Sequence, residues 1–276
     1  MNQNETLTTR IRPQRGLKFV DVGELVRYKD LLFFLSLRGI KTRYAQSVLG
    51  VGWAIVQPIV TTLVFTIVFG RLAKVSSDGT PYFLFSLAAM VPWMYFSNTL
   101  TEASNSLIMN ASMISKVYFP RIVLPLSAAI SKALDFFIGL LILVIVLLVN
   151  GYNITWSVTL FPLMIIILLM TSLGLGMLLS AMAVQYRDIK HALTFMTQLL
   201  LYTSPVVYPT SNVPKQFQFW YALNPMVGVI EGCRSIFLHT PFPWEWLAES
   251  LIVSFFLFVG GALYFRKMER IFSDVA

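Results

Sequence analysis

Residues 136–186 read FFIGLLILVIVLLVNGYNITWSVTLFPLMIIILLMTSLGLGMLLSAMAVQY, and not one of them is charged. A helix in a water-soluble core normally keeps one polar face. A helix in lipid needs only about 20 apolar residues in a row. The one interruption is Asn150-Gly151-Tyr152-Asn153, a turn signal. It divides the stretch into the end of one membrane span, roughly 122–149, and the whole of a second, roughly 158–184. Two further charge-free intervals, 44–70 and 79–101, are also long enough to cross a bilayer. The spacing predicts spans at 48–70 and 82–101, separated by the turn Asp78-Gly79-Thr80-Pro81, a short one at 192–208 and a last one at 246–265. The expected fold is all-α and polytopic, with six transmembrane helices.

Composition agrees. Of 276 residues, 57% are hydrophobic, 12% are charged, and the mean hydropathy is +0.71. A net charge of +8 would suggest nucleic acid in a soluble chain, but here its distribution argues against that partner. Nine Lys or Arg lie in the first 49 residues, from Arg10 to Arg43, and the tail adds Arg266, Lys267 and Arg270. Basic clusters beside apolar spans mark the cytoplasmic side. With both termini inside, sixteen Lys and Arg fall on cytoplasmic segments and four outside, while Lys132 lies within a span. The chain then divides into a cytoplasmic N-terminus (1–47), a transmembrane region (48–265) and a cytoplasmic tail (266–276). The first residues are polar and do not read as a signal peptide.

Residues 21–45 read as an interfacial amphipathic helix lying on membrane lipid. Val22, Leu25, Val26, Leu32, Phe33 and Ile40 fall on one face, and Glu24, Arg27, Arg38 and Lys41 on the other. Lys132 and Asp135 are three apart within the third span. A lone charge at that depth costs at least about 2.5–3.5 kcal/mol, so each is expected to pair with the other or with groups inside the bundle.

Several chemistries find no residues to carry them. There is no G-x-x-x-x-G-K-[ST] loop to cradle nucleotide phosphates and no H-E-x-x-H. His191 and His239 lack metal-ligand spacing, no paired Asp residues suggest an intramembrane glycosyltransferase, and no G-x-S-x-G elbow suggests a hydrolase. Cys233 stands alone and reads as a small apolar filler. A proton-coupled transporter would place ionisable groups in several spans, and Lys132 and Asp135 are nearly the only deep ones. The expectation is a conduit rather than an enzyme, with no catalytic residue, no metal and no cofactor in this chain, and its energy supplied from elsewhere.

Four motifs then carry a specific resemblance. The run Leu37-Arg38-Gly39-Ile40-Lys41-Thr42-Arg43-Tyr44-Ala45 through Gly50-Val51-Gly52-Trp53 and Gln57-Pro58 resembles the opening of the permease subunits of polysaccharide ABC exporters, the family that exports O-antigen, teichoic acid and capsule chains. Lys116-Val117-Tyr118-Phe119-Pro120-Arg121, Tyr186-Arg187-Asp188-Ile189 and Leu223-Asn224-Pro225-Met226 follow in the family's order, and Pro92-Trp93-Met94-Tyr95-Phe96 is similar to its second span.

The resemblance implies a homodimer in the cytoplasmic (inner) membrane, a lipid-linked glycan passing between protomers, and two copies of a separate ATPase that binds ATP and Mg. It also implies that residues 102–121 form the main coupling element. Asn105, Asn110, Ser112, Ile114, Lys116 and Arg121 are the candidates there to meet the ATPase, with Tyr186, Arg187 and Asp188 beside them. The outer segment 209–245 is expected to hold two gate helices, with Glu231 and Arg234 spaced to pair. Phe65, Phe69, Trp93, Tyr95 and Phe96 are candidates to line the path, since sugars lay their C–H faces on aromatic rings. The nearest alternative is an ABC permease exporting a drug or a small lipid.

Overall fold

A computed structural model describes residues 22–45, 47–186 and 188–269. Arg187, the basic stretch before residue 22 and the tail after 269 lie outside the described residues. Among those described the chain is helical throughout, with no strand. A short α1 (Val22–Arg27) leads into α2 (Lys29–Tyr44), then α3 (Gly52–Phe65), whose last turns widen into a π-helical segment at Thr66–Leu72. There follow α4 (Tyr82–Met109), α5 (Ala111–Ile114), α6 (Val123–Val149), α7 (Phe161–Gln185) and α8 (Ile189–Thr203). Small α9 (Gln218–Ala222), buried α10 (Met226–Leu238) and α11 (Trp244–Glu269) complete the fold.

Among the described residues, five helices are long and apolar enough to cross a membrane: Gly52–Leu72, Tyr82–Met109, Val123–Val149, Trp156–Gln185 and Trp244–Glu269. The segment expected as a fifth span, 192–208, forms α8 instead, 15 residues ending before Ser204-Pro205. At 1.5 Å per residue it is about 22 Å long, short of a bilayer core. The expected end of the second span at 101 also moves, because α4 continues through Glu102 to Met109.

The spans contain prolines and hydroxyls, and lipid offers no water to satisfy the groups these leave open. Pro58 and Pro92 sit inside α3 and α4, each removing a backbone donor. Several hydroxyls bond back to their own helix. Thr61 donates to the Gln57 carbonyl, Thr171 to Ile167 and Ser172 to Leu168, at 2.7–2.8 Å, so each side chain meets its own helix.

α4 and α7 form the centre, with α6, α10 and α11 around them. Small residues set how closely these helices pack. A Cβ on Gly261 of α11 would lie 2.1 Å from the Gly174 carbonyl oxygen of α7, and one on Gly174 would lie 2.6 Å from the Phe258 nitrogen. The two backbones touch, which only glycine permits at this crossing. Gly228 lets α10 settle on Ser250, whose Oγ accepts its N–H at 3.0 Å. Two apolar clusters result. One, around Leu84, Phe96, Met164 and Ile230, surrounds α10. The other, around Leu35, Leu107, Phe119, Met177 and Phe265, lies at the α2 end.

α2 departs from the expected two-faced pattern. Leu35 and Ser36 are buried against the bundle, with Leu32 and Tyr28 partly so, whereas Val26, Phe33 and Phe34 are at least 60% exposed. The helix is apolar on both sides because one side meets protein and the other faces away. Expecting Val26 and Phe33 to share a face with Leu32 treated it as a helix with a single apolar neighbour.

Candidate transport and coupling sites

Gly39 allows α2 to approach α6 closely. A Cβ there would lie 3.0 Å from the Ser131 Cβ. One turn further along α2, Arg43 and Tyr44 reach Asp135 of α6 through an ion pair and a hydrogen bond donated by the phenol. Burial holds the Tyr44 phenol above its usual range, with Arg43 opposing, so at neutral pH it is a donor. On the neighbouring turn of α6, Lys132 is 5% exposed and pairs with Glu102 of α4. Arg43 also stands 3.8 Å from Glu102. Lys132 and Asp135 are therefore paired with other helices rather than with each other. Two cations and two carboxylates compensate one another at the junction of α2, α4 and α6, where an unpaired charge would be costly. Arg43, Tyr44 and Glu102 did not stand out in the sequence. Arg43 read as one more cytoplasmic cation and, with Tyr44, as part of the opening motif, and Glu102 as the first residue of the coupling segment at 102–121.

A cavity of about 240 Å³ opens beside this cluster, lined by Trp53, Gln57, Tyr95, Asn98 and Asp135 among others. A second, of about 540 Å³, continues past Arg38, Thr42, Thr101 and Asn105. Of the aromatic candidates, Tyr95 lines the first cavity and donates to the Ala129 carbonyl at 3.1 Å. Trp93 and Phe96 are buried in the core with their rings 5.4 Å apart. Phe65 and Phe69 are half-buried and meet edge to face at 5.5 Å.

The segment after α4 is a projecting elbow. Asn110 ends α4, and its side chain bonds the Ser106 carbonyl at 2.8 Å. α5 then turns the chain back toward α6, leaving Ser112 and Lys116 exposed along with Met109, Val117 and Tyr118. Asn105 and Ile114 are half-buried, Ile114 against the cluster at the α2 end. Arg121 closes the elbow onto the end of α11, its backbone N–H donating to the Glu269 carboxylate at 3.1 Å and its guanidinium to the Glu269 carbonyl. Tyr186 and Asp188 are exposed in the turn between α7 and α8.

At the opposite end, Arg234 is 1% exposed inside α10. Its Nη1 donates to Glu231 Oε1 at 2.8 Å, Nη2 to the Val206 carbonyl at 3.2 Å and Nε to the Phe85 carbonyl at 3.4 Å. The guanidinium carbon lies 3.5 Å over the Phe85 ring. One side chain thus ties α10 to α4 and to the loop after α8. His239, at φ +58°, ends α10 with its Nε2 2.8 Å from both Thr155 Oγ1 and the Asn153 carbonyl. Cys233 is buried.

A family model described as "ABC-2 type transporter" matches residues 30–238. The O-antigen export system permease protein RfbA of Myxococcus xanthus is 30% identical, over 92% of this chain and 98% of its own length. A permease of the same description from Klebsiella pneumoniae is 26% identical over 89% of this chain and 95% of its own. The polysialic acid transport protein KpsM of Escherichia coli is 24% identical over 87% and 94%.

Proposed function

The chain belongs to the ABC-2 type transporter family, and on that premise we propose that it is the membrane subunit of an exporter of lipid-linked polysaccharide in the cytoplasmic membrane. The observation that carries this reading is the nearly end-to-end match to O-antigen export permeases. A drug or small-lipid exporter would have no reason to match glycan permeases along almost its whole length.

In this reading the chain works as a homodimer with both termini in the cytoplasm. α8 completes a six-span bundle, helped by the residues that follow it. Two copies of a separate ATPase bind ATP and Mg and push on the elbow at 102–121 and on the turn at 186–188. What supports the elbow is its surface: exposed Met109, Val117 and Tyr118 beside the polar Ser112 and Lys116, a mix of apolar and polar groups suited to a protein interface. The Lys132–Glu102 and Arg43–Asp135 pairs would pass a displacement of α2 to α4 and α6 as one unit. Tyr95 is the candidate ring that lines the cavity beside the charge cluster, while Trp93 and Phe96 are buried in the core and Phe65 and Phe69 pack against it.

Deleting the gene should abolish surface polysaccharide in the native host and trap lipid-linked polymer inside. The wild-type chain should restore export, and an ATPase subunit should co-purify with it. Normal surface polymer in the deletion strain would overturn this function. Reporter fusions at Ser76, Tyr152 and Gln218 should read outside, and those at Ser112 and Ile189 inside.

A further inference from the structure

The loops at the end of the bundle away from α2 border an open cavity of about 430 Å³, within the range of small-ligand sites. One wall is aromatic: Phe242, Trp244 and Trp246. The Phe242 and Trp244 rings lie 4.6 Å apart at 50°, and Trp246 stands edge-on to Tyr221 at 5.9 Å. The facing wall is polar and includes Asp78, Thr210 and Glu231.

The polar wall is held in place. Asp78 adopts φ +47° in the turn before α4, and Ser211 donates to its carboxylate at 3.1 Å, tying the first outer loop to the loop after α8. Glu231 is fixed through Oε1 by the buried Arg234. The loop carrying Phe242 is anchored where Ser235 donates to the Pro241 carbonyl at 2.9 Å. Aromatic faces opposite carboxylates and hydroxyls suit a pyranose. Its C–H face covers the rings, and its hydroxyls donate to the carboxylates.

Charge narrows the ligand class. Asp78, Glu231 and Glu245 line the cavity against the single cation Arg234, which is paired with Glu231 and spends three of its five N–H donors on Glu231, Val206 and Phe85. An acidic sugar or a phosphate would meet the carboxylates of Asp78 and Glu245, for which the lining holds no further cation. Among the described residues no group of His, Cys, Asp and Glu is arranged to hold a metal ion.

We propose, building on the export reading above, that this cavity is a saccharide subsite that receives on the order of one or two sugar rings of the exported polymer, of the neutral or amino-sugar class. It grips the chain after it has crossed and so opposes its return.

The test uses the permease–ATPase complex in lipid nanodiscs, with two probes. One is the oligosaccharide set released by mild acid from the polymer missing in the deletion strain. The other is a sialic acid trimer. Tryptophan fluorescence should report saturable binding of the first probe, with the trimer at least tenfold weaker. Trp244→Ala and Asp78→Asn should each weaken the first probe at least fivefold. Trp244 is 61% exposed and Asn keeps an acceptor for Ser211, so both variants should fold, which monodisperse elution will verify. Absence of saturable binding, equal binding of the trimer, or indifference to both substitutions would overturn the subsite. Export by the wild-type chain in the deletion strain is scored separately, so the subsite can fall while the export reading stands, and the reverse.

Discussion

Lys132 and Asp135 stand about one turn apart on α6, yet their charges run to different helices, Lys132 to Glu102 of α4 and Asp135 to Arg43 of α2. A pair closed within α6 would have satisfied both charges without fixing anything else. Paired outward, they hold three helices at one junction, and α2 is tied to the bundle through Arg43.

This junction predicts a non-additive mutation series. Glu102→Gln leaves the buried Lys132 charge uncompensated and should cost about 3 kcal/mol, the low end for a broken buried pair, because the Glu102 side chain keeps 34% exposure. Adding Lys132→Met to Glu102→Gln should recover most of the loss. Inserted yield and the thermal midpoint in detergent would show it, and a double variant no better than the single would refute the pairing.

The α7–α11 crossing makes a sharper prediction. Gly261→Ala drives a methyl into the Gly174 carbonyl and should cost about 3 kcal/mol or more, because backbone cannot step aside as a side chain can. Gly260→Ala, one residue away with nothing within 4 Å of its Cβ position, should be neutral or slightly stabilising. Equal thermal midpoints for the two variants would mean that the backbones do not touch.

Arg234 is expected to tolerate no substitution, including the one that keeps its charge. Arg234→Lys replaces a planar fork with a point charge. It cannot reach Glu231, Val206 and Phe85 together, and should cost about 2 kcal/mol. Arg234→Met strands the Glu231 carboxylate and should cost about 3–5 kcal/mol. A thermal midpoint for the lysine variant within one degree of wild type would contradict this anchoring.

For the elbow, cysteines at Asn110 or Ser112 should crosslink to the ATPase subunit. Cys233 is buried and should give no background. Ile114→Asp should abolish export and transport-linked ATP hydrolysis while the protein still inserts. Export that survives replacement of 110–118 by a flexible linker would remove the elbow from the coupling path.

The all-helical, membrane-spanning character and five of the six expected spans were readable because charge and apolar length are local properties. The charge-free run at 136–186 contains the hairpin of α6 and α7 with its turn where Asn150-Gly151 falls. Boundaries failed where a side chain's partner is distant in sequence. Glu102 looks like the end of a span until Lys132 is seen to neutralise it. α8 looks long enough until Ser204-Pro205 ends it. The spacing of Glu231 and Arg234 suggested their pairing, but nothing local signals that Arg234 also reaches Phe85 and Val206, 149 and 28 residues away. The roles of Arg43 and Tyr44 were hidden for the same reason. Each is polar beside an apolar run, and only packing tells an inward-facing residue from a surface one.

The touching backbones of α7 and α11 also bear on synthesis. α7 enters the membrane early, but the surface around Gly174 stays uncovered until the last long helix is translated. Packing on this face of α7 is therefore completed only when α11 arrives. A chain cut short before Trp244 lacks the helix that covers Gly174 and leaves that face of α7 bare.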